Sequence, residues 1–567
     1  MARQLGLLMI VMLAIGACSP APSITSSSGE PAAPRAPKIL RIALGRQIEA
    51  FVPVVTGAAT TTGGGGQVLP LVSNRLQNFD EKGNKFGELA EALPSLTDGS
   101  WKINGDGTME TVWKLRPNLK WHDGMPITAD DLVFGYQVVT TPGLPTAAIT
   151  YTRNIREVVA VDRLTVSVRW KEVFVSADEP AENLPVLPKH ILEGPLATTR
   201  PEAFANHPYF TSEFVGNGPF KLTEWVPGVQ VDLAAFDEYY RGRPKLDRVI
   251  VRAIPDFNTQ IASVLAGEID LTLPTGIDVE SALTVQERWQ GTENRVLYGS
   301  NGRLRMALPQ SRAEAAQPKA LLDPRVLQAL FRAVDRSTIS EAISQGKAPP
   351  GDGVVPPFYD IFKELGPSMP AYPYDLAGAQ RALQDLGWTR GQDGVLRNAQ
   401  GEEFHTEISA GQSLRTEREM NSMALGWKQM GIQVDFSPIP LTANTHELRW
   451  NYPGFDVGGT SLDDVTTVRR SCKSIPTAGN QWRGSNRSGY CNAEYEGLVD
   501  RLTVTIDPAA RLQLLRDAVR ITMTDMTVFP MYWELNPILA VAGLKNINPP
   551  TQPIQFDAYN AWQWDKA

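Results

Sequence analysis

Basic charge is in deficit. Lys and Arg number 54 against 62 Asp and Glu, a formal net charge of −8, so the chain lacks the field that draws proteins to phosphate backbones or anionic lipid. Nucleic acid is not an expected partner. Histidine is scarce as well: five residues, at 122, 190, 207, 405 and 446, none at helical spacing from another and none in a His-Glu-x-x-His pattern, so no metal site is expected. A Gly-x-Ser-x-Gly nucleophile elbow is missing, since Gly299-Ser300-Asn301-Gly302 and Gly484-Ser485-Asn486 have the wrong spacing. So is Gly-x-x-x-x-Gly-Lys-Ser/Thr, and Gly216-Asn217-Gly218 runs into Pro219-Phe220-Lys221 without the third glycine of a dinucleotide loop. No cofactor and no enzymatic activity are expected. His122-Asp123 is the nearest thing to an acid/base pair, but it lies in a Gly-containing turn, where polar side chains commonly bond backbone.

Long apolar runs are limited to one. Leu5 to Ile15, after Arg3, is too short to span a bilayer as a mature helix and fits a signal h-region. It ends in Ile15-Gly16-Ala17-Cys18, which looks like a bacterial lipobox, where small residues admit the signal peptidase and the Cys18 thiol accepts a diacylglyceryl group. Residues 1–17 are then a leader and Cys18 an anchor in the membrane; an ordinary secretory signal with an incidental Cys is the alternative. Residues 18–37 are Ser, Ala and Pro with almost no large apolar side chain, which predicts a flexible tether. Only Cys472 and Cys491 remain. An exported compartment permits their disulfide, with two free buried thiols as the alternative.

What remains is globular. The chain has 567 residues, 42% hydrophobic, enough for two to four units with sizeable cores. Ile39 to Leu44 reads as a strand, followed by a permissive Thr60-Thr61-Thr62-Gly63 to Gly66 loop. Thr128-Ala129-Asp130-Asp131 is a capping box that starts a helix at Ala129. Further helices are predicted over Asn258–Ala266, from Asp323-Pro324, from Asp375, along the Met420–Met430 stripe, and over Ala509–Met526 after Asp507-Pro508. Strand compositions lie between them, at Ile432–Phe436, Met531–Trp533 and Ile538–Val541. Such alternation predicts α/β architecture in more than one lobe.

Leu115-Arg116-Pro117-Asn118-Leu119-Lys120-Trp121-His122-Asp123-Gly124-Met125-Pro126-Ile127-Thr128-Ala129-Asp130-Asp131-Leu132-Val133-Phe134 resembles the signature of the family-5 extracellular solute-binding proteins of ABC importers. Gly216-Asn217-Gly218-Pro219-Phe220-Lys221-Leu222, Tyr239 to Asp247 and Leu265 to Asp270 resemble further blocks in the same order. So do Asp323 to Leu330 with Asp335-Arg336, Met430-Gly431-Ile432, and the Asp507 helix through Phe529-Pro530-Met531-Tyr532. The resemblance covers nearly all of residues 39–547.

The resemblance implies a type II periplasmic-binding-protein fold, the Venus flytrap, with an extra subdomain on lobe one. Mapped here, lobe one is 38–303 with the subdomain at about 80–212, lobe two is 304–530, and 531–567 returns to lobe one. A solute, by preference an oligopeptide, sits between the lobes. A monomeric, lipid-anchored protein outside the cytoplasm then delivers it to ABC permease subunits. In dipeptide-binding relatives an Asp in a Gly-Asp-x-Gly-Asp-Pro segment holds the peptide amine; the corresponding stretch here is Gly458-Gly459-Thr460-Ser461-Leu462-Asp463-Asp464. Their carboxylate-holding Arg-Pro-Tyr is Ala410-Gly411-Gln412 here, with Arg415 close enough to substitute. Trp482, Arg483 and Tyr490 between the cysteines, and Thr60 and Thr61 in the lobe-one loop, complete the candidate contacts. The altered clamps keep a non-peptide solute, such as a nickel chelate or a glycan, as the alternative. An exported hydrolase and a chaperone-like holder are the readings from other classes.

Overall fold

Every second residue of Ile39–Leu44 faces one of two cores: Leu40, Ile42 and Leu44 enter one cluster and Ala43 another. A strand buried on both faces suits a parallel sheet covered by helices. In this computed structural model the segment is β1. The structure describes residues 35–52, 55, 65–80, 83–144, 149–180, 183–273, 277–300, 302–440, 450–461, 471–477, 479, 484–549 and 558–567. The expected leader, Cys18 and most of the expected tether lie outside them. The chain divides into two units, Met1–Pro37 and Lys38–Ala567. Of the first, residues 35–37 are described, exposed and outside any helix or strand.

The second unit is built on two main sheets. Beside β1 in the first run β6 (Phe220–Val226), β7 (Gln230–Ala235), β8 (Arg248–Ala253), β9 (Leu271–Thr272), β10 (Arg295–Gly299) and β16 (Asn536–Ala540). Their order is β10-β16-β9-β1-β8-β7-β6, with β8 and β9 parallel to β1. A subdomain sheet is inserted between β1 and β6: β2 (Trp101–Ile103), β3 (Met109–Lys114), β4 (Ile155–Ala160) and β5 (Thr165–Trp170), in the order β2-β3-β5-β4. Trp113, Trp121 and Trp170 fill its separate core. Helix α1 (Ala129–Thr140) closes it, its first turn fixed by Thr128 N donating to Asp131 Oδ2 at 2.8 Å.

Lobe two is a five-stranded sheet. It comprises β11 (Arg303–Pro309), β12 (His405–Gly411), β13 (Gln433–Ile439), β14 (Phe455–Ser461) and β15 (Phe529–Trp533), in the order β13-β12-β14-β11-β15. Trp427, Phe455 and Phe529 meet at its centre, with ring centroids 4.8 and 5.3 Å apart along the series. Four helices open on an Asp cap, three of them, at Asp323, Asp375 and Asp507, where the sequence predicts: these three and Asp256 each accept a free backbone N–H at 2.8 or 2.9 Å. They open α2 (Phe257–Leu265), α4 (Pro324–Arg332), α5 (Leu376–Asp385) and α8 (Pro508–Thr524), while α3 is Val279–Arg288 and α7 is Ala493–Val504. Helix α6 runs over Leu414–Gln429, six residues ahead of the Met420 stripe. Ser413 and Thr416 cap it reciprocally, at 3.1 and 3.2 Å. An apolar stripe reports only a helix's buried face, so an exposed first turn escapes it.

The lobe boundary differs by a few residues from the one expected. Pro530 and Met531, where the sequence suggested the return to lobe one, lie inside β15, and the passage falls at Glu534-Leu535. A proline is tolerated there because β15 is the sheet edge. Arg303, placed in lobe one by sequence, is the first residue of the lobe-two strand β11.

Candidate ligand-binding cleft

Two antiparallel strand pairs carry the chain between the lobes. β10 continues into β11 and β15 into β16, pairing as β10 with β16 in the first sheet and β11 with β15 in the second. Two hydrogen bonds tie the passages together: Glu534 N donates to Arg303 O at 2.8 Å, and the Ser300 side-chain Oγ donates to Glu534 O at 3.2 Å. β9 runs antiparallel to β16, so β1, β8 and β9 all point their carboxyl ends at this crossing. β14 runs antiparallel to β11 and parallel to β12, which parallels β13, so these three point there too. Ligands of open α/β sheets bind outside the carboxyl ends of their strands. Here two such sets of ends face one place.

Arginine dominates the lobe-two side. Arg303 and Arg305 lie on one face of β11, opposite Ser461 and Gly459 of β14. A Cβ at Gly459 would lie 2.8 Å from Arg303 Nε and 3.1 Å from Arg305 Nη1, and one at Gly458 would lie 3.1 Å from Arg487 Nη2. The paired glycines therefore leave room for three guanidinium groups. Arg305 is buried and bidentate on Glu419: Nε donates to Oε1 at 2.9 Å and Nη2 to Oε2 at 2.5 Å, while Tyr532 also donates to that carboxylate. Burial alone would lower the Arg305 pKa, but Glu419 outweighs it and raises it. Glu534, 14% exposed, faces two further arginines. Arg415 Nη1 donates to Oε1, and Arg303 Nε lies 2.9 Å from Oε2. Burial opposes ionisation of Glu534, yet Arg415, Arg305 and Arg303 together hold its carboxyl below the ordinary value.

The residues expected at the site fall into three groups. Gln412, Arg415, Gly459, Thr460 and Ser461 gather at the carboxyl ends of β12 and β14 or in the first turn of α6. Gln412 is exposed, and its N–H extends the β12–β13 ladder to Ile439 O at 3.0 Å. Tyr490 lies apart from that group: its hydroxyl donates to Asp525 Oδ2 at 2.6 Å and its ring packs against Tyr495 in lobe two. Thr60, Thr61, Asp463, Asp464, Trp482 and Arg483 lie outside the described residues. Cys472 and Cys491 form a disulfide, with Cα atoms 4.9 Å apart. Arg303, Arg305, Glu419 and Glu534 were not anticipated. For Arg303, Arg305 and Glu534 the one sequence signal is charge in or beside otherwise apolar strand runs, Arg303-Leu304-Arg305-Met306 and Met531-Tyr532-Trp533-Glu534.

His122 bonds backbone. Nε2 is 3.0 Å from Gly218 O, and Nδ1 accepts the Gly216 N–H at 3.1 Å, which fixes a neutral tautomer. Burial lowers its pKa to about 4. Asp123 pairs instead with His190, at 2.8 Å. Among the described residues no group of three or more His, Cys, Asp or Glu is placed to hold a metal, and no helix is long and apolar enough to cross a membrane.

Two main sheets joined by a paired crossing, with the carboxyl ends of both converging on it, define a two-lobed solute-binding protein. The model of the bacterial extracellular solute-binding proteins, family 5 Middle, matches residues 91–467, and the chain belongs to that family. Among curated relatives it is 26% identical over 443 residues to the oligopeptide-binding protein AppA of Bacillus subtilis, covering 76% of this chain and 75% of that one. The structure of AppA with a nonapeptide superposes with a TM-score of 0.68 at 22% identity, over 94% of this chain and 100% of AppA. NikZ of Campylobacter jejuni, in complex with Ni(L-His), gives 0.71 at 21% identity, over 93% and 99%. Both likenesses describe the fold.

Proposed function

We propose that this protein is an extracytoplasmic lipoprotein that captures peptides, by preference oligopeptides, between its lobes and hands them unchanged to the permease subunits of an ABC importer. The observation that carries this reading is the convergence of both sets of strand ends on one crossing. Ligand favours closure because only the closed cleft lets both lobes contact it. No covalent chemistry is needed, and the protein acts as a monomer without metal or cofactor. The lipobox-like Ile15-Gly16-Ala17-Cys18 supports anchoring through Cys18, with the permease's ATPase supplying the energy. Gln412, Arg415, Gly459 and Thr460, with Thr60, Thr61, Ser461, Asp463, Asp464, Trp482 and Arg483, are the proposed contacts.

Native mass spectrometry of the protein purified from its membrane tests the reading: peptides of several residues are expected to co-purify. A single non-peptide metabolite in their place overturns the peptide assignment. One observation favours that second reading: Ala410-Gly411-Gln412 stands where dipeptide-binding relatives have Arg-Pro-Tyr.

A further inference from the structure

The stretch from Lys347 to Tyr359 belongs to lobe two. It lies between α4 and α5, its Ala348, Val354 and Val355 enter the lobe-two core, and its Asp352 accepts from the buried Arg336 at 2.9 and 3.1 Å. Yet it touches both passages between the lobes. Over Pro349–Gly351 it runs along the outer edge of β15: Trp533 N donates to Pro349 O and Gly351 N to Met531 O, each at 2.9 Å. Phe358 then packs edge-on against Trp533, the last residue before the second passage, with ring centroids 6.0 Å apart and planes at 85°. Its neighbour Tyr359 is buried against the first passage, where its hydroxyl oxygen lies 2.0 Å from the position of a Cβ built on Gly302. At the other end of the stretch, Lys347 Nζ stands 5.3 Å from the ring centroid of Tyr298 in β10 of lobe one. The Tyr298 hydroxyl donates to Gln286 of α3 at 3.1 Å, which fixes that ring to its own lobe.

A swing of two rigid lobes is absorbed by a few torsions in the segments that connect them. Gly302, at φ +65°, occupies a conformation that only a residue without Cβ adopts freely. The Tyr359 ring fills the space beside it, and that ring rests in turn on Phe358, whose centroid is 5.0 Å away. One aromatic pair thus bears on both passages. All these contacts are made in a conformation where the lobes also touch, at Glu280 with Arg418 and where Ile506 meets the subdomain core. Parting the lobes turns both passages under the ring pair and draws Tyr298 away from Lys347. We propose that Lys347–Tyr359 is a strap over the hinge that favours the closed form. Solute-free protein then stays near its capture geometry, and less of the binding free energy goes into closing. The proposal rests on the solute-binding reading and adds the residues that set its open–closed balance.

The test reads lobe separation in the full chain by double electron–electron resonance. Nitroxides are placed at Gln290→Cys on lobe one and Gln392→Cys on lobe two, both exposed positions. Lys347→Ala and Phe358→Ala change exposed side chains and spare the core. Each is expected to lengthen the solute-free separation and to raise the dissociation constant for a pool of random-sequence peptides of three to nine residues by roughly two- to tenfold. Tyr359→Leu should act in the same direction. Lys363→Ala, which removes only a pair with the exposed Asp360, should change neither quantity. Thermal midpoints close to that of the parent protein establish that the variants fold. An unchanged solute-free separation in both Lys347→Ala and Phe358→Ala, an unchanged affinity in both, or a shorter separation in either overturns the strap, while a parent that closes on the pool upholds the solute-binding reading. A parent whose separation the pool leaves unmoved overturns the peptide assignment, and the solute-free separations of the variants then decide the strap.

Discussion

Arg418 Nη1 lies 2.7 Å from Oε2 of Glu280, which ties α6 of lobe two to α3 of lobe one by an ion pair. Both side chains are more than half exposed, so the pair contributes about 0.2–1 kcal/mol and is screened by salt. A second contact is apolar: Ile506, between α7 and α8 of lobe two, packs on the subdomain core. Contacts of this size bias the two lobes without locking them.

Reversing one charge therefore weakens solute capture modestly. Glu280→Lys or Arg418→Glu is expected to reduce affinity by roughly two- to fivefold at low salt, and the double exchange to restore it. Titration calorimetry at low and high salt checks this. An unaltered affinity in both single variants would show that the pair does not bias closure.

Breaking the buried pair has a larger effect. Glu419→Ala leaves the Arg305 guanidinium, 5% exposed, without its partner, at an expected cost of about 3–5 kcal/mol. Urea unfolding measures it; a loss under about 1 kcal/mol would mean that water or another group reaches Arg305.

Much of the fold was legible in the chain because caps and apolar periodicity are local signals. Asp323, Asp375 and Asp507 announced helices that formed within a residue or two. The boundary mapped from the resemblance at Pro530 falls inside a strand that tolerates the proline because it is an edge, and edges are decided by tertiary order. The site was far less legible. Arg415 and Glu534 are 119 residues apart in sequence, and no spacing rule connects them. Gly459 was singled out through an altered motif, while its physical role, clearance for Arg303 and Arg305, appears only once β11 and β14 are paired.

Acidification destabilises the protein through His122. The folded pKa is about 4 and the unfolded value is near 6.5, so between them the unfolded chain binds more protons. This contribution is complete above about pH 6.5, falls as pH drops toward 4, and levels off below. Its full size is up to about 3 kcal/mol. Unfolding of the parent and His122→Asn at pH 4.5 and 7 checks it: the variant is expected to lose part of the pH dependence, and an identical slope in both would assign the effect to other groups.

Reduction of the Cys472–Cys491 bridge, which closes a sequence separation of 19, is expected to lower stability by about 3 kcal/mol. Urea midpoints with and without dithiothreitol report it, and an unmoved midpoint would place the bridge outside the cooperative unit.

Small-angle X-ray scattering of the protein with and without its co-purifying solute, followed by mass analysis of the recovered solute, tests the central claim most directly. Hinged capture predicts a smaller radius of gyration with solute bound and recovery of the solute at its original mass. An unchanged radius, or a solute returned cleaved or otherwise altered, would contradict it.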